Sequence, residues 1–390
     1  MKNAIVTIQY DEEKLTTLNL FLKKKNVDLN SEMTKHLDLL YNRYVPLQVK
    51  EFFSMKNNDA KIIKNKQGGA SDHKSEHIMV IGIDNGNANT KTLHTVFNSG
   101  LIESSTAIPM AEDCIQFDGT YYYLSSKRAF FQKDKTQDVQ CFILTLFGIA
   151  KELAYSDISA DKEYYNVELA VGLPPLHYSS LKKKFGDYFL SYGPMIDFKY
   201  NGKDVKINLN DVKVYPQAYS AIANNPELKS LYSRIYVIDI GGYTTDVVGF
   251  RDNRLDAACC FSLENGIITM CNSIKLKVAT AFDEEVEESD ITDVISGKNV
   301  FLSSQVVEYI KKEAEKYTHN IINQLREFGV NAKTTQAVFV GGGSVLLEEY
   351  IQRNSLIKKP VFIRQINCNA LGYTQLSMAY YKQKGKNPSK

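Results

Sequence analysis

Apolar and polar positions change rhythm along this chain. From Ala4 to Tyr10 they alternate, with Val6, Ile8 and Tyr10 on one face and Ile5, Thr7 and Gln9 on the other, which is the period of a strand. Asp11 then stands where it can cap a helix, Lys14 closes the first turn, and Leu15, Leu18 and Leu22 form one stripe. After a break over 26–30, a second helix starts near Ser31. Met33, Leu37, Leu40 and Tyr44 make its buried stripe, and Pro46 ends or kinks it. Residues 55–77 (MKNNDAKIIKNKQGGASDHKSEH) are polar, Lys-rich and free of aromatic rings, the composition of a flexible linker. From Ile78 onward strand-like and helix-like segments alternate to about residue 382. The closing residues, KQKGKNPSK, read as a disordered basic tail. The expected organisation is therefore a module at 1–54, a linker at 55–77, a main α/β body at 78–382 and a tail at 383–390.

Composition narrows the class. With 390 residues, 44% of them hydrophobic, the chain can fill two or three domains around a large core. Its 24 Tyr and 19 Phe are too much apolar surface to leave solvated, so disorder is excluded as the main state. Lys and Arg number 47 against 45 Asp and Glu, and a net +2 is not the charge of a polyelectrolyte binder. The longest apolar run, Cys141 to Ala150, is far short of a membrane span, and acids directly after the short apolar start exclude a signal peptide. Six Cys without CxxC or metal spacing read as reduced thiols in a cytosol. The six His show no metal or catalytic pairing.

One short strand and two helices cannot bury enough surface alone. The front module should therefore pair with a second copy, strand against strand. Its pattern resembles the ribbon-helix-helix family, to which Arc repressor and the plasmid-partition adaptors ParR belong; the match runs from Val6 through Asn30-Ser31-Glu32-Met33 without a gap. The resemblance implies that Ile5, Thr7 and Gln9 face the DNA major groove. It also implies that backbone amides near Asn30 and Ser31 hold a phosphate. The groove-facing positions carry no Arg or Lys, and Asp28 would repel a phosphate, so dimerisation or partner docking without DNA stands as the alternative.

Three Gly-rich turns recur in the body, each after an apolar strand. HIMVIGIDNGNANTKTLHTV places Asp84 at a strand end, then Gly86, Asn87, Ala88 and Asn89, with Thr90 and Lys91 opening the next strand. RIYVIDIGGYTTDVVGF repeats the plan with Asp239, Gly241-Gly242, Thr244 and Thr245; Asp246 caps or braces that hairpin. QAVFVGGGSVLLEEYI is strand, then Gly341-Gly342-Gly343-Ser344, then an amphipathic helix. Small side chains let the amides of such turns close around phosphate oxygens, and a helix N-terminus adds favourable partial charge. Two strand-Asp-x-Gly hairpins and one Gly-rich helix start look like an internal duplication: two lobes facing one cleft. Mg²⁺ favours carboxylates that reach it through water, and Asp84 and Asp239 are placed to do so from opposite lobes. Neither GxxxxGK[ST] nor GxGxxG after a strand is present, which excludes P-loop and Rossmann readings.

DNGNANTK, IDIGGYTTDV and VGGGSVLL look like the phosphate-1, phosphate-2 and adenosine motifs of the actin, DnaK-type chaperone and sugar-kinase superfamily. VELAVGLPPLHYSSLKKKFGDY, KVYPQAYSAI and LENGIITMCNSI resemble the actin-like plasmid-segregation ATPases, ParM and its relatives, over residues 78 to about 382. That resemblance implies a two-lobed fold of duplicated ribonuclease-H-like domains that binds ATP or GTP with Mg²⁺. It further implies a cytoplasmic filament of identical subunits, made unstable by hydrolysis, that segregates a plasmid or other mobile element. Asp84 and Asp239 would hold the hydrated metal. Gln217, at the start of the first inter-lobe helix, would orient the attacking water. Gly341, Gly342 and Gly343 would sit by base and ribose, with Glu264 and Gly266 as further nucleoside contacts. Ala370, Leu371 and Gly372 fit a second inter-lobe helix. A non-polymerising, nucleotide-sensing DNA-binding regulator is the alternative, followed by a sugar-kinase-like phosphotransferase. Elsewhere Tyr121–Tyr123 reads as a strand, Lys182–Lys184 as a solvated helix face and Glu284–Asp290 as an exposed acidic loop.

Overall fold

The structure is a computed structural model, and it describes residues 10–24, 28–30, 33, 37, 78–109, 111–125, 127, 134–156, 163–385 and 388–389. The chain divides into two compact units, Met1–Ser75 and Glu76–Lys390.

In the front unit, helix α1 spans Glu12–Lys24. The Asp11 carboxylate accepts from the Lys14 amide at 3.0 Å, the N-cap that the sequence pattern predicts. Leu15, Leu18, Leu20 and Phe21 of this helix are exposed. Helical backbone is already present at Leu29 and Asn30, two residues before the expected start of the second helix. Ile5, Thr7, Gln9 and Ser31 lie outside the described residues; Asn30 is helical and exposed.

The body is built on two sheets. The first holds β1 (Ile78–Asn85), β2 (Asn89–Lys91), β3 (Val96–Asn98), β4 (Gly100–Ser104), β5 (Cys114–Phe117), β6 (Thr120–Ser125), β7 (Tyr165–Leu173), β8 (Met195–Tyr200) and β9 (Lys203–Pro216), in the order β3-β2-β1-β7-β9-β8-β5-β6-β4. β3 and β4 are separated by the single residue Ser99 yet lie at opposite ends of that order, so the sheet curls. The second holds β10 (Arg234–Ile240), β11 (Thr245–Arg251), β12 (Arg254–Leu263), β13 (Gln336–Val340) and β14 (Val361–Phe362), in the order β12-β11-β10-β13-β14. β1, β7 and β9 run parallel, as do β10 and β13. Strands covered on both faces need continuous apolar runs, which is why MVIGI and IYVI read so clearly.

Helices cover both sheets. α2 (Gln140–Tyr155) takes up the longest apolar run and, with Phe185 and Phe189 of α3 (Pro175–Leu190), fills the first core. The short α4 (Pro226–Leu231) leads into β10. α5 (Ile267–Phe282), α6 (Glu288–Ile295) and α7 (Ser304–Glu327) form the second core against β10, β11 and β13. α8 (Gly342–Leu346) and α9 (Glu348–Arg353) are two short helices where the sequence suggests one. α10 (Cys368–Gln383) closes the body. No helix among the described residues is long and apolar enough to cross a membrane.

Two elements link the lobes. After β9 the chain makes a 3₁₀ turn, Ser220–Ile222, rather than the expected α-helix, and the turn packs on the second sheet with Ile235, Val237 and Val338. α10 is the helix in which Ala370, Leu371 and Gly372 were expected. A side chain at Gly82 would strike the Ala370 carbonyl at 2.2 Å, and one at Gly372 would strike the Ser220 carbonyl at 1.9 Å. The linking elements therefore meet each other and β1 backbone to backbone.

Two further expectations change, at residues 284–290 and at the tail, and one histidine finds a structural partner. Glu284–Asp290 is not simply a loop: Val286 is buried, and Glu287 and Asp290 form a capping box that starts α6. His94 is paired, its Nδ1 lying 2.7 Å from Glu152, and its ring stacks on Tyr155. Ser389, in the expected disordered tail, forms a parallel bridge with Met79. Its carbonyl accepts from Val80 at 3.0 Å and its amide donates to Ile78 at 2.9 Å. Tyr121–Tyr123 does lie within β6, and Lys183 and Lys184 are exposed on α3, paired with Asp187 and Asp134.

Candidate active site

The two Asp-x-Gly hairpins arise from matching ladders. β1 turns into β2 with Asp84 opposite Lys91, and β10 turns into β11 with Asp239 opposite Asp246. The first tip is held by Gly86, whose amide donates to the Asp84 carbonyl at 2.9 Å and whose carbonyl accepts from Ser99 Oγ at 2.6 Å. The second is closed by the Gly241 amide on the Thr244 carbonyl at 2.8 Å. The first turn of α5 is docked beneath it: Ile267 and Ile268 donate to the carbonyls of Gly241 and Gly242. The tips approach each other. A Cβ at Gly242 would lie 3.2 Å from Ala88 Cβ, so the lobes pass each other closely here.

Between the hairpins is a cavity of about 400 Å³, within the size range of small-molecule sites. Of the residues singled out from the sequence, Asp84, Gly86, Asn87, Asn89, Lys91 and Gln217 line it from the first lobe and its exit. Asp239, Gly241, Gly242, Thr244, Glu264, Gly342 and Gly343 line it from the second. Four others stand behind the wall. Thr90 is buried against Ser99 Oγ at 2.9 Å, and Thr245 donates to the Asn265 carbonyl at 2.7 Å, so both brace hairpins. Gly266 precedes α5, and a Cβ there would meet the Gly242 carbonyl at 2.2 Å. Gly341 adopts φ +86°, and a Cβ there would lie 2.1 Å from Asp239 Oδ1.

The charges are tightly arranged. Lys91 Nζ lies 3.5 Å from Asp84 Oδ2. Burial pulls the Lys91 pKa down, but the fields of Asp84 and Asp239 outweigh it and the net shift is upward, so this ammonium stays charged. Gln217 Nε2 donates to Asp84 Oδ1 at 2.9 Å, which leaves its carbonyl oxygen as an acceptor on a cavity-lining side chain. Gln217 is followed by Ala218 at φ +61°, a buried non-glycine residue in the left-handed region. Such strain costs on the order of 1 kcal/mol and persists where the surroundings enforce it. Asn369 of α10 enforces it: its Oδ1 accepts from the Ala218 amide at 3.1 Å, and its Nδ2 donates to Asp239 Oδ2 at 2.6 Å. One buried amide thus ties the exit of the first lobe to the acid of the second.

Asp239 is buried, and desolvation raises its pKa against the opposing pull of Lys91, with the nearby Asp84 charge raising it further. Burial pushes Asp246 up to about 7, helped by Asp239. Asp246 Oδ2 accepts from Thr244 Oγ1 at 3.2 Å, whereas Oδ1 is buried without a partner. Among the described residues no three metal-ligating side chains converge to bind an ion directly. Asp84 and Asp239, one on each hairpin, are hard oxygen donors on the cavity wall, the kind that reach a divalent cation through its water shell.

Asn369, Ala218, Asp246 and Lys135, which donates to the Asn85 carbonyl, escape sequence reasoning as site residues. Asp246 carries the one readable signal, an acid two residues beyond the hairpin threonine. It also yields a test. A carboxyl whose folded pKa lies above its unfolded value of 3.8 stabilises the fold below that value and loses the contribution as pH rises toward 7. Asp246→Asn should match the parent at pH 4 and exceed it by roughly 4 kcal/mol at pH 8 in denaturant titrations of the free protein. Equal curves at both pH values would remove the charge from this account.

Sequence profiles cover the body in two parts. Residues 82–219 match the N-terminal domain of actin-like proteins, and residues 237–353 match the C-terminal part of archaeal MreB-like actin homologues. Residues 1–75 match a family of unknown function. The cell division protein FtsA of Bacillus subtilis (strain 168) is 24% identical over 179 residues, a match that spans 40% of each chain. Among solved structures, the archaeal actin homologue Ta0583 in complex with ADP superposes with TM-score 0.59 at 19% identity, over 77% of this chain and 99% of that one. A 15-stranded ParM filament from Clostridium botulinum superposes with TM-score 0.62 at 16% identity, over 78% and 99%. Both sheets, both profiles and these superpositions agree that the body of this chain has an actin-like fold.

Proposed function

We propose that the body is a Mg²⁺-dependent ATPase that assembles into filaments of identical subunits, and that these move or segregate a plasmid or similar mobile element. The observation that carries the reading is the cavity itself. Two glycine hairpins from different lobes face each other across it, each with an aspartate at its base. The ADP complex of Ta0583 and the ParM filament support the two halves of the reading, nucleotide and polymer.

Each group then has a role. The amides of Gly86–Asn89 and Gly241–Thr244 cradle the phosphates, and Lys91 supplies a fixed positive charge. Asp84 and Asp239 hold the hydrated Mg²⁺ that accompanies the nucleotide; when bound, the ion neutralises charge on the phosphates. Gln217, oriented by Asp84 and the strained Ala218, offers its carbonyl oxygen to a water and aligns it without acting as a strong base. Gly342 and Gly343 leave room for the nucleoside. Gln217→Ala should slow hydrolysis by about a hundredfold while nucleotide affinity changes less than threefold, read by phosphate release and calorimetry.

The front unit serves as a dimerising adaptor of the ribbon-helix-helix type, with DNA as its candidate cargo. The exposed Leu15, Leu18 and Phe21 of α1 are the surface that a second copy would cover. Electron microscopy of the full chain with and without ATP and Mg²⁺ tests the central reading. Filaments that need nucleotide support it; dispersed particles in every condition would leave a nucleotide-switched regulator in its place.

A further inference from the structure

Asn369 lies in the first turn of α10, 4% exposed and behind the cavity wall. Its two polar atoms serve different parts of the site. Oδ1 accepts from the Ala218 amide, which belongs to the peptide joining that residue to Gln217, and Nδ2 donates to Asp239 Oδ2. The partners fix this orientation of the side chain, because a backbone N–H only donates and a carboxylate only accepts. Among side chains of this length, a carboxamide alone offers both an acceptor and a donor. Leucine fills a similar volume and offers neither, and an ionised aspartate has no donor.

Gln217 is held at several points. Its amide donates to the Leu173 carbonyl at 2.9 Å, its carbonyl accepts from Tyr219 at 2.6 Å, and its side chain donates to Asp84. Turning the peptide between Gln217 and Ala218 would swing that side chain, and Asn369 holds the N–H of this peptide with Ala218 in the left-handed region. On the other side, the backbone of Gly341 closes over Asp239 Oδ1, which leaves Oδ2 to Asn369. The start of α10 is itself set against the first hairpin. Asn367 Nδ2 donates to the carbonyls of Thr92 and Leu93, just past Lys91, at 2.9 and 2.7 Å. Satisfying one buried N–H takes one hydrogen bond; the second bond of Asn369 relates two groups of the cavity wall to each other.

We propose that Asn369 is a positioning residue for hydrolysis. It aligns Gln217 through the Ala218 peptide and holds Asp239 in the same frame, touching neither nucleotide nor water. This rests on the ATPase reading above and adds to it the group that sets the water-aligning side chain.

The test is a double-mutant cycle in the full chain, read by phosphate release from Mg-ATP, with nucleotide affinity and melts taken on the same preparations. Asn369→Ala should lower kcat about fiftyfold while nucleotide affinity changes less than about threefold. In that background Gln217→Ala should cost at most about a further threefold, against about a hundredfold in the parent, because a glutamine already out of line has little left to lose. Asn369→Asp keeps the acceptor for Ala218 and gives up the donor to Asp239; there Gln217→Ala should still cost about thirtyfold or more. Asn369→Leu, which fills the space with neither bond, replaces the alanine chain if that one melts below the assay temperature. A Gln217 penalty that stays near the parent value in the alanine or leucine background, or that is equally small in the aspartate one, would overturn the inference and leave the ATPase reading in place. A parent that releases no phosphate from Mg-ATP or Mg-GTP overturns that reading, and the inference with it.

Discussion

Asp239→Ala is expected to lower ATP hydrolysis by a factor of roughly 10³ or more, with the fold intact. The size follows from position. Asp239 closes β10 at the cavity floor, Asn369 fixes one of its oxygens at 2.6 Å, and the bare backbone of Gly341 lies against the other. Removing the carboxylate leaves Lys91 with the Asp84 charge alone, so the charge that the proposed nucleotide and its cation would meet is poorly matched. Stability should not fall in step. Burial already opposes the charged form of Asp239, so the alanine chain sheds that penalty while leaving one Asn369 N–H unmatched. Phosphate release assays and thermal melts on the same preparation separate the two effects. Turnover that survives, or activity lost only together with the fold, would rule out the role assigned to this residue.

Gly372→Ala should have the largest effect on the fold, about 3 kcal/mol or more of destabilisation. The new methyl would lie 1.9 Å from the Ser220 carbonyl, and both atoms belong to backbone, so no side chain can rotate aside. α10 and the 3₁₀ turn must separate, and Asn369 and Ala218 move with them. The variant should therefore lose activity as well as several degrees of melting temperature. Gly342→Ala is the control: a Cβ there meets no atom within 4 Å, and its melt should match the parent. Similar melts for both variants would mean that the linking elements are not packed this closely.

Much of the body was legible in the sequence because its chemistry is local. A buried parallel strand is an apolar run, and an acid followed by glycines at its end is a hairpin with open amides, so both hairpins and the GGGS turn could be placed by reading alone. The groups that couple them are long-range. Asn369 reads as one polar residue in a helix start, and only the fold sets it 151 positions from Ala218 and 130 from Asp239. Gln217 was expected on a helix; the left-handed Ala218 that follows is held by Asn369, and the 3₁₀ turn packs against the bare backbone of Gly372, contacts that no propensity records. Thr90 and Thr245 belong to the two phosphate hairpins by resemblance, yet strand alternation turns both inward, where Ser99 and the Asn265 carbonyl satisfy them. Residues 284–290 misled for the opposite reason: the acids hide Val286, the one apolar position that ties the segment to the core.

The bridge between Met79 and Ser389 has a consequence for how such a chain is assembled. Where residue 389 bridges the first strand of the body, those two stretches of chain lie side by side. The body can be spliced onto foreign sequence, nested within a host, or reopened at a distant surface bend and sealed here by a few residues, with little change to its interior.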